Sequence, residues 1–273
     1  MSLTDNVGVN YNKRRKPIFN VGTRYVEFAP GNLQALEIYK DGEYMWYSSN
    51  WKFAEHQYDS YKSNGRFIEG NNVDLFCWSG ESSEMSGYGL CTYQDYNNQY
   101  YGTVDVEPLK CDWGSIPSIV SRYGSGWRTP TIQEWTYLVT HYDVCAVWVG
   151  DNITGVLILA DEVKQLTDLR PLPNANDDGT DINQSVINSM NFEKLEYYIS
   201  EGCLFLPTTQ YRDGTEIITS NTDMGFNGYY WSSTSESVKH AYRLAFNDSG
   251  FGTTKYTSRR HYGRAVRLVK NVS

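Results

Sequence analysis

Between Gly228 and Val269 the chain repeats three short apolar frames: Gly228-Tyr-Tyr-Trp231-Ser-Ser233, His240-Ala-Tyr-Arg-Leu244-Ala-Phe246 and Arg260-His-Tyr-Gly263-Arg-Ala-Val-Arg267-Leu-Val269. In the middle frame His240, Tyr242, Leu244 and Phe246 share one face of an extended chain, and Ala241, Arg243, Ala245 and Asn247 share the other. In the last frame Val266 and Leu268 alternate with Ala265, Arg267 and Val269. This period-two pattern predicts strands with one face in a core. The intervening Asn247-Asp-Ser-Gly250 and Tyr256-Thr-Ser-Arg-Arg260 have the chemistry of turns and loops. A sheet end rich in Tyr, Ser, Asn, Arg and His has the composition of a recognition surface rather than of a catalytic pocket.

Upstream, two helices are legible. Thr131 is a helix N-cap with Glu134 as its capping-box partner, and Ile132, Trp135, Leu138 and Val139 form the buried stripe. A second helix is expected over Asn191 to Glu201, with Phe192, Leu195, Tyr198 and Ile199 facing inward and Gly202 in the left-handed C-terminal position. Gly155-Val-Leu-Ile-Leu-Ala160 is apolar on both faces and reads as a central strand. Leu36-Glu-Ile-Tyr39 and Tyr44-Met-Trp-Tyr47 form a hairpin through Lys40-Asp-Gly-Glu43. Residues 60 to 110 are rich in Gly, Ser and Asn and read as loops. The expected class is α+β, two helices on a small, mostly antiparallel sheet. An arm over residues 1–19 precedes a single domain over 20–273; its basic cluster, Asn12-Lys-Arg-Arg-Lys16-Pro17, reads as a solvated tail, with attachment to an acidic partner as the alternative.

The net charge of −8 argues against a nucleic-acid surface. No stretch approaches the ~18 apolar residues of a membrane span. Met1-Ser-Leu-Thr-Asp-Asn lacks a charged n-region followed by an apolar h-region; this leaves open a chain that does without that export route and one whose leader has been removed. Cys77, Cys91, Cys111, Cys145 and Cys203 have no regular spacing and read as buried thiols rather than a disulfide framework. His56, His141, His240 and His261 are far apart and fit no zinc or protease motif, so no catalytic residue is assigned. Asn174-Ala-Asn176-Asp-Asp178-Gly179-Thr-Asp181 has the alternate oxygens of a calcium loop, but Ser185 stands where a bidentate acid belongs. It reads as a solvated loop, and neither a metal nor a cofactor is expected.

Tyr-Tyr-Trp-Ser-Ser-Thr over 229–234, Leu244-x-Phe246 and Gly263-x-x-Val-Arg-Leu-Val269 resemble the C-terminal end of bacterial C-type-lectin-like domains of the Fibrobacter-type major paralogous group. Gly126-Trp127-Arg128-Thr129-Pro130-Thr131, running into Glu134-Trp135, and Phe28-Ala-Pro-Gly31-Asn32-Leu33 with Trp51 to Asp59 are similar to earlier motifs of that group. The resemblance covers residues 20 to 270. It implies a C-type-lectin-like fold with much irregular loop, and a binding module for a protein or glycan ligand at a cell surface, outside the cell or on a virion. Within that class it resembles the variable proteins of diversity-generating retroelements. Trp231, Ser232, Leu244, Phe246, Gly263, Val266, Arg267 and Leu268 are then the fixed frame. Tyr230, Ser235, His240, Tyr242, Asn247, Ser249, Phe251, Tyr256, Ser258, Arg260 and Tyr262 are the displayed, ligand-binding positions. Distant relatives are formylglycine-generating oxidases, which use a redox-active or copper-binding cysteine pair late in the domain; this chain has no cysteine after Cys203. A structural subunit of a fimbria or phage tail is the other alternative.

Overall fold

The computed structural model describes residues 14–40, 43–46, 51–60, 72–76, 78, 112–150, 153–165, 167–172, 186–213, 216–218, 226–237, 240–247, 250–252, 257–260 and 262–272. Among them are four helices and several small sheets, mostly antiparallel, in a mixed α+β arrangement with more strand than helix. The helices are α1 (Pro117–Tyr123), α2 (Ile132–His141), α3 (Asp161–Lys164) and α4 (Phe192–Ser200). The Asn174–Asp181 segment with Ser185, and also Cys77, Cys91, Cys111 and His261, lie outside the described residues.

Helix α2 forms as its sequence dictates. The Thr131 hydroxyl accepts the Glu134 amide, and the Glu134 carboxylate accepts the Thr131 amide, which satisfies the first-turn donors reciprocally. Glu134 also takes both Arg128 guanidinium nitrogens at 2.6 Å, a two-pronged pair that fixes the chain ahead of the helix. Ile132, Trp135, Leu138 and Val139 are all buried, and so is Trp127. The four helix residues enter a core with Phe19, Val26 and Phe28 of one sheet, Val144, Ala146, Val156 and Ile158 of another, and Tyr230, Leu244 and Phe246 of the C-terminal sheet, whereas Trp127 packs in a second core with Phe53 and Trp113.

The second of these sheets runs in the order Asn188–Met190, Val144–Val149, Ile153–Ile158, Leu204–Pro207, with one parallel pairing at Asn188–Met190. Its two faces feed two cores. Val144, Ala146, Val156 and Ile158 point toward α2, while Cys145, Val147, Leu157 and Phe205 pack with Leu195, Tyr198 and Ile199 of α4. Coverage on both sides explains the run of apolar residues at 155–160. Asn191 caps α4 and Gly202 ends it at φ +92°, as expected. Phe192 does not join the stripe: it is 45% exposed at the first helical position, where its ring stands edge-on to Tyr58 instead of entering the core.

The N- and C-terminal segments share a sheet, in the order Ile18–Asn20, Tyr25–Phe28, Val269–Val272, Trp127–Arg128. Structure therefore begins earlier than the sequence implies. Phe19, read as part of an arm, is 1% exposed and meets Phe28 and Tyr142 edge-on. The described part of the basic cluster lies on the chain's own acidic groups: Arg14 on Glu196 at 2.8 Å and Lys16 on Glu27 at 2.9 Å. The Leu33–Lys40 and Glu43–Trp46 hairpin forms with Lys40 opposite Glu43. Gln57 acts as an extra strand residue: its side chain accepts the Phe205 amide at 2.6 Å and donates to the Cys203 carbonyl at 3.1 Å.

Candidate functional site

The His240–Asn247 strand is the axis of the C-terminal sheet. Gly228–Ser235 pairs along one edge, and Gly250–Gly252 and Thr257–Arg259 along the other. Opposite partners share a face, so Tyr230 and Leu244 point together toward α2, while Tyr229, Arg243 and Ala245 point away. The register shifts between Trp231 and Ser235. There the carbonyls of Trp231 and Ser232 accept indole N–H groups from Trp135 (3.3 Å) and Trp78 (2.7 Å), so the bulge is pinned from both sides.

The far face is covered as well. Residues 264–268 do not continue as a strand. They run extended across other elements, each of which takes one or two backbone bonds: Phe76 and Arg264 exchange amides, Trp231 donates to Ala265, Leu33 to Val266 and Ala29 to Leu268. Trp231, Ala241, Val266 and Leu268 join a core built with Trp51, Phe53, Phe76, Trp78 and Trp113. The eight frame residues, Trp231, Ser232, Leu244, Phe246, Gly263, Val266, Arg267 and Leu268, are all buried.

The expected displayed positions divide. His240, Tyr242, Asn247, Ser235 and Tyr262 are half-buried and reach the surface. Tyr230, Ser258 and Arg260 do not, which corrects the reading of them as displayed. Tyr230 is fully buried because its register partner is Leu244; its ring lies over Phe246, its hydroxyl donates to the Pro207 carbonyl at 2.7 Å, and burial pushes its phenol pKa far up. Arg260 is 1% exposed, with its guanidinium 4.2 Å from the Trp78 ring, donating to the His240 carbonyl and to the Ser235 hydroxyl. It clamps two strands. Ser258 is buried and accepts Arg264 Nη2 at 2.9 Å. Ser249, Tyr256 and the side chain of Phe251 lie outside the described residues.

Two surface features result. Toward α2, Tyr242 and Thr234 line a groove of about 470 Å³ with Ile132, Thr136, Tyr137 and His141. On the opposite face, Tyr211, Tyr229 and Tyr262 converge on Arg264, whose guanidinium carbon lies 4.3, 4.2 and 5.5 Å from the three ring centres; Arg243 lies 4.6 Å from the Tyr229 ring. Arg264 is 4% exposed. Burial first, then the like charge of Arg243, pulls its pKa down to about 9, so it remains a cation at neutral pH. The sequence reading passed over Arg243, Arg264, Tyr229 and Tyr211. The first three lie within the quoted frames, and the period-two pattern already placed Arg243 away from Leu244.

The other strongly displaced groups are not gathered at either feature. Desolvation raises the Cys145 and Cys203 thiols to about 12. Asp112 is raised to about 6 by burial, although it accepts the Gly114 and Thr129 amides and the Thr129 hydroxyl; it ties the turn before α1 to the segment before α2. No group of three metal-ligating side chains occurs among the described residues, and none of their helices is long and apolar enough to cross a membrane. Comparisons of the chain with protein-family models, curated proteins and solved structures return no match.

Proposed function

We propose that this chain is a non-catalytic binding module of C-type-lectin-like fold that holds a protein or glycan ligand on its C-terminal surface, in the manner of a variable protein of a diversity-generating retroelement. One observation carries the reading: within residues 228–268 a buried frame on a pinned sheet leaves His240, Tyr242 and Asn247 of its axial strand, and Tyr262 in the bend that follows, half-buried at the surface. A scaffold whose core does not depend on its surface side chains tolerates their replacement, and that is what a diversified binding surface requires. An oxidase reading needs an accessible thiolate, and both described thiols are buried and protonated at neutral pH.

Two measurements test the proposal. The full chain is applied to protein and glycan arrays beside a variant carrying His240→Ala, Tyr242→Ala, Asn247→Ala and Tyr262→Ala. The expected result is loss or redirection of the hits with the fold intact by circular dichroism. Hits that survive unchanged in the variant overturn the proposal. The retroelement assignment is tested in the flanking DNA. A near-copy of the coding sequence for residues 229–269, differing mainly at adenines and lying beside a reverse transcriptase gene, is expected; a flank without one removes that assignment and leaves the binding module.

A further inference from the structure

The groove of about 470 Å³ between α2 and the C-terminal sheet has a lining of one chemical kind. Its helix wall is two adjacent rows, Ile132-Thr136-Thr140 and Gln133-Tyr137-His141, so it follows all ten residues of α2, about 15 Å. Its sheet wall is Thr234 and Tyr242, and the Ile132 amide ties the two walls together by donating to the Thr234 hydroxyl at 3.0 Å. Thr136 and Thr140 turn their hydroxyls back onto the Ile132 and Thr136 carbonyls at 2.8 Å, which leaves their methyl groups to the groove. Tyr242 packs on the core with part of its ring. Among the described residues its ring meets no other ring and its hydroxyl no hydrogen-bond partner, and the exposed Gln133 amide is likewise uncommitted. No Asp, Glu, Lys or Arg lines the groove, although these make up 21% of the chain.

Resting on the binding-module reading, we infer that this groove is a glycan site that takes an uncharged oligosaccharide, with a sugar ring against Tyr242 and its hydroxyls on Gln133. A sugar is apolar on its C–H face and polar at its rim. The groove matches both: an aromatic ring and threonine methyls for the face, and an amide that both donates and accepts for the rim. Without a charged side chain the lining has nothing to offset the desolvation of an ionic ligand, so an acidic sugar is disfavoured. A peptide fits less well. The Ser233 and Thr234 amides are taken by the Pro130 carbonyl and the Ser232 hydroxyl, and the axial strand is paired along both edges, so an extended segment finds no strand to join. An amphipathic helix needs Leu, Met or Phe in its groove, and the one aliphatic residue here, Ile132, is only 7% exposed.

The test titrates the 15N-labelled full chain with lactose, maltose, cellobiose and N,N′-diacetylchitobiose, and with 3′-sialyllactose as the anionic counterpart of lactose. Each is taken to about 20 mM, where a site of millimolar affinity approaches saturation. At least one neutral disaccharide is expected to move the Gln133 side-chain amide and the α2 amides along the groove saturably. Tyr242→Ala is expected to weaken that binding about tenfold or more, and Tyr242→Phe to leave it within about threefold, because the ring supplies the stacking. Gln133→Ala, at an exposed helix position that accepts alanine, should weaken it about three- to tenfold and serves as the test if Tyr242→Ala loses its fold. No saturable shift with any of the four sugars, shifts that lie outside the groove, or equal losses in Tyr242→Phe and Tyr242→Ala overturn the site. Tighter binding of 3′-sialyllactose than of lactose overturns the assignment to an uncharged sugar. A protein hit from the arrays that moves the groove amides where no sugar does overturns the glycan assignment. Failure here is separable from failure of the module: array hits that are lost in the His240/Tyr242/Asn247/Tyr262 variant but kept in both Tyr242→Ala and Gln133→Ala leave the module standing and remove the groove.

Discussion

Trp135 joins the helix read most directly from sequence to the sheet that carries the candidate surface, so its removal tests both. It is fully buried, its ring centre 5.5 Å from Phe28 and 6.4 Å from Tyr230, and its indole N–H reaches the Trp231 carbonyl at the bulge. An indole that buries about 150–250 Å² contributes about 4–6 kcal/mol at about 25 cal/mol per Å². Alanine keeps the Cβ and the neighbours relax partly into the cavity, which brings the expected cost of Trp135→Ala to about 3–5 kcal/mol. Stranding the Trp231 carbonyl places it toward the upper end. Trp135→Phe restores most of the ring but not the donor, and is expected to cost about 1–3 kcal/mol. Urea unfolding followed by circular dichroism reads both values, and the alanine variant should melt about 6–20 °C lower. If both variants fall within about 0.5 kcal/mol of the parent, as exposed substitutions do, the packing of α2 on the C-terminal sheet is wrong.

Removing residues 1–20 takes away Phe19 and the edge strand and should cost several degrees or unfold the chain. Cys145 and Cys203 should resist a disulfide reagent at pH 8 in the native chain and react in denaturant, as read by mass mapping. Both thiols ionise near 9 when unfolded and near 12 when folded, so the folded state holds more protons between those values. Stability is therefore intact below pH 9 and falls as pH rises toward 12, by up to about 1.4 kcal/mol per pH unit and thiol. The Cys145→Ala/Cys203→Ala variant should show a shallower alkaline slope in urea titrations at each pH.

What the sequence disclosed was what local chemistry decides. The capping box at Thr131 and Glu134, the stripe of α2 and the left-handed Gly202 each depend on neighbours within a few residues. The doubly apolar strand at 153–158 is legible for another reason: coverage of both faces by α2 and α4 leaves no polar alternation. α1 went unread although Pro117 stands at its first turn, because its seven residues bury one apolar side chain, Ile119, and show no stripe. The candidate surface was legible only in part, and for a physical reason. Period two tells which residues share a face; it does not tell whether the second face is covered. Here it is covered by Phe76 and Trp78, distant in sequence from residues 240–268. Charged side chains are exposed by default, and Arg260 departs from that default because Trp78 lies against it.

Arg264 and Arg267 are both buried, and energy rather than exposure tells their roles in the fold apart. Arg267 is answered within the fold: it donates to Asn32 Oδ1 at 2.9 Å and to the Gln57 and Ala29 carbonyls at 3.0 and 3.4 Å, with the Asp74 carboxylate near enough to favour its charge. Arg267→Met strands these acceptors and removes the cation near Asp74, and should cost about 3–5 kcal/mol. Arg264→Met strands one acceptor, the Ser258 hydroxyl, and relieves the repulsion from Arg243. Methionine fills a similar volume against the three rings with a favourable sulfur–aromatic contact. The exchange should therefore fall within about 1 kcal/mol of neutral, since a buried charge without a full set of partners contributes little to stability. Urea midpoints of the two variants measure the contrast. Equal destabilisation by both would mean that Arg264 serves the fold as Arg267 does.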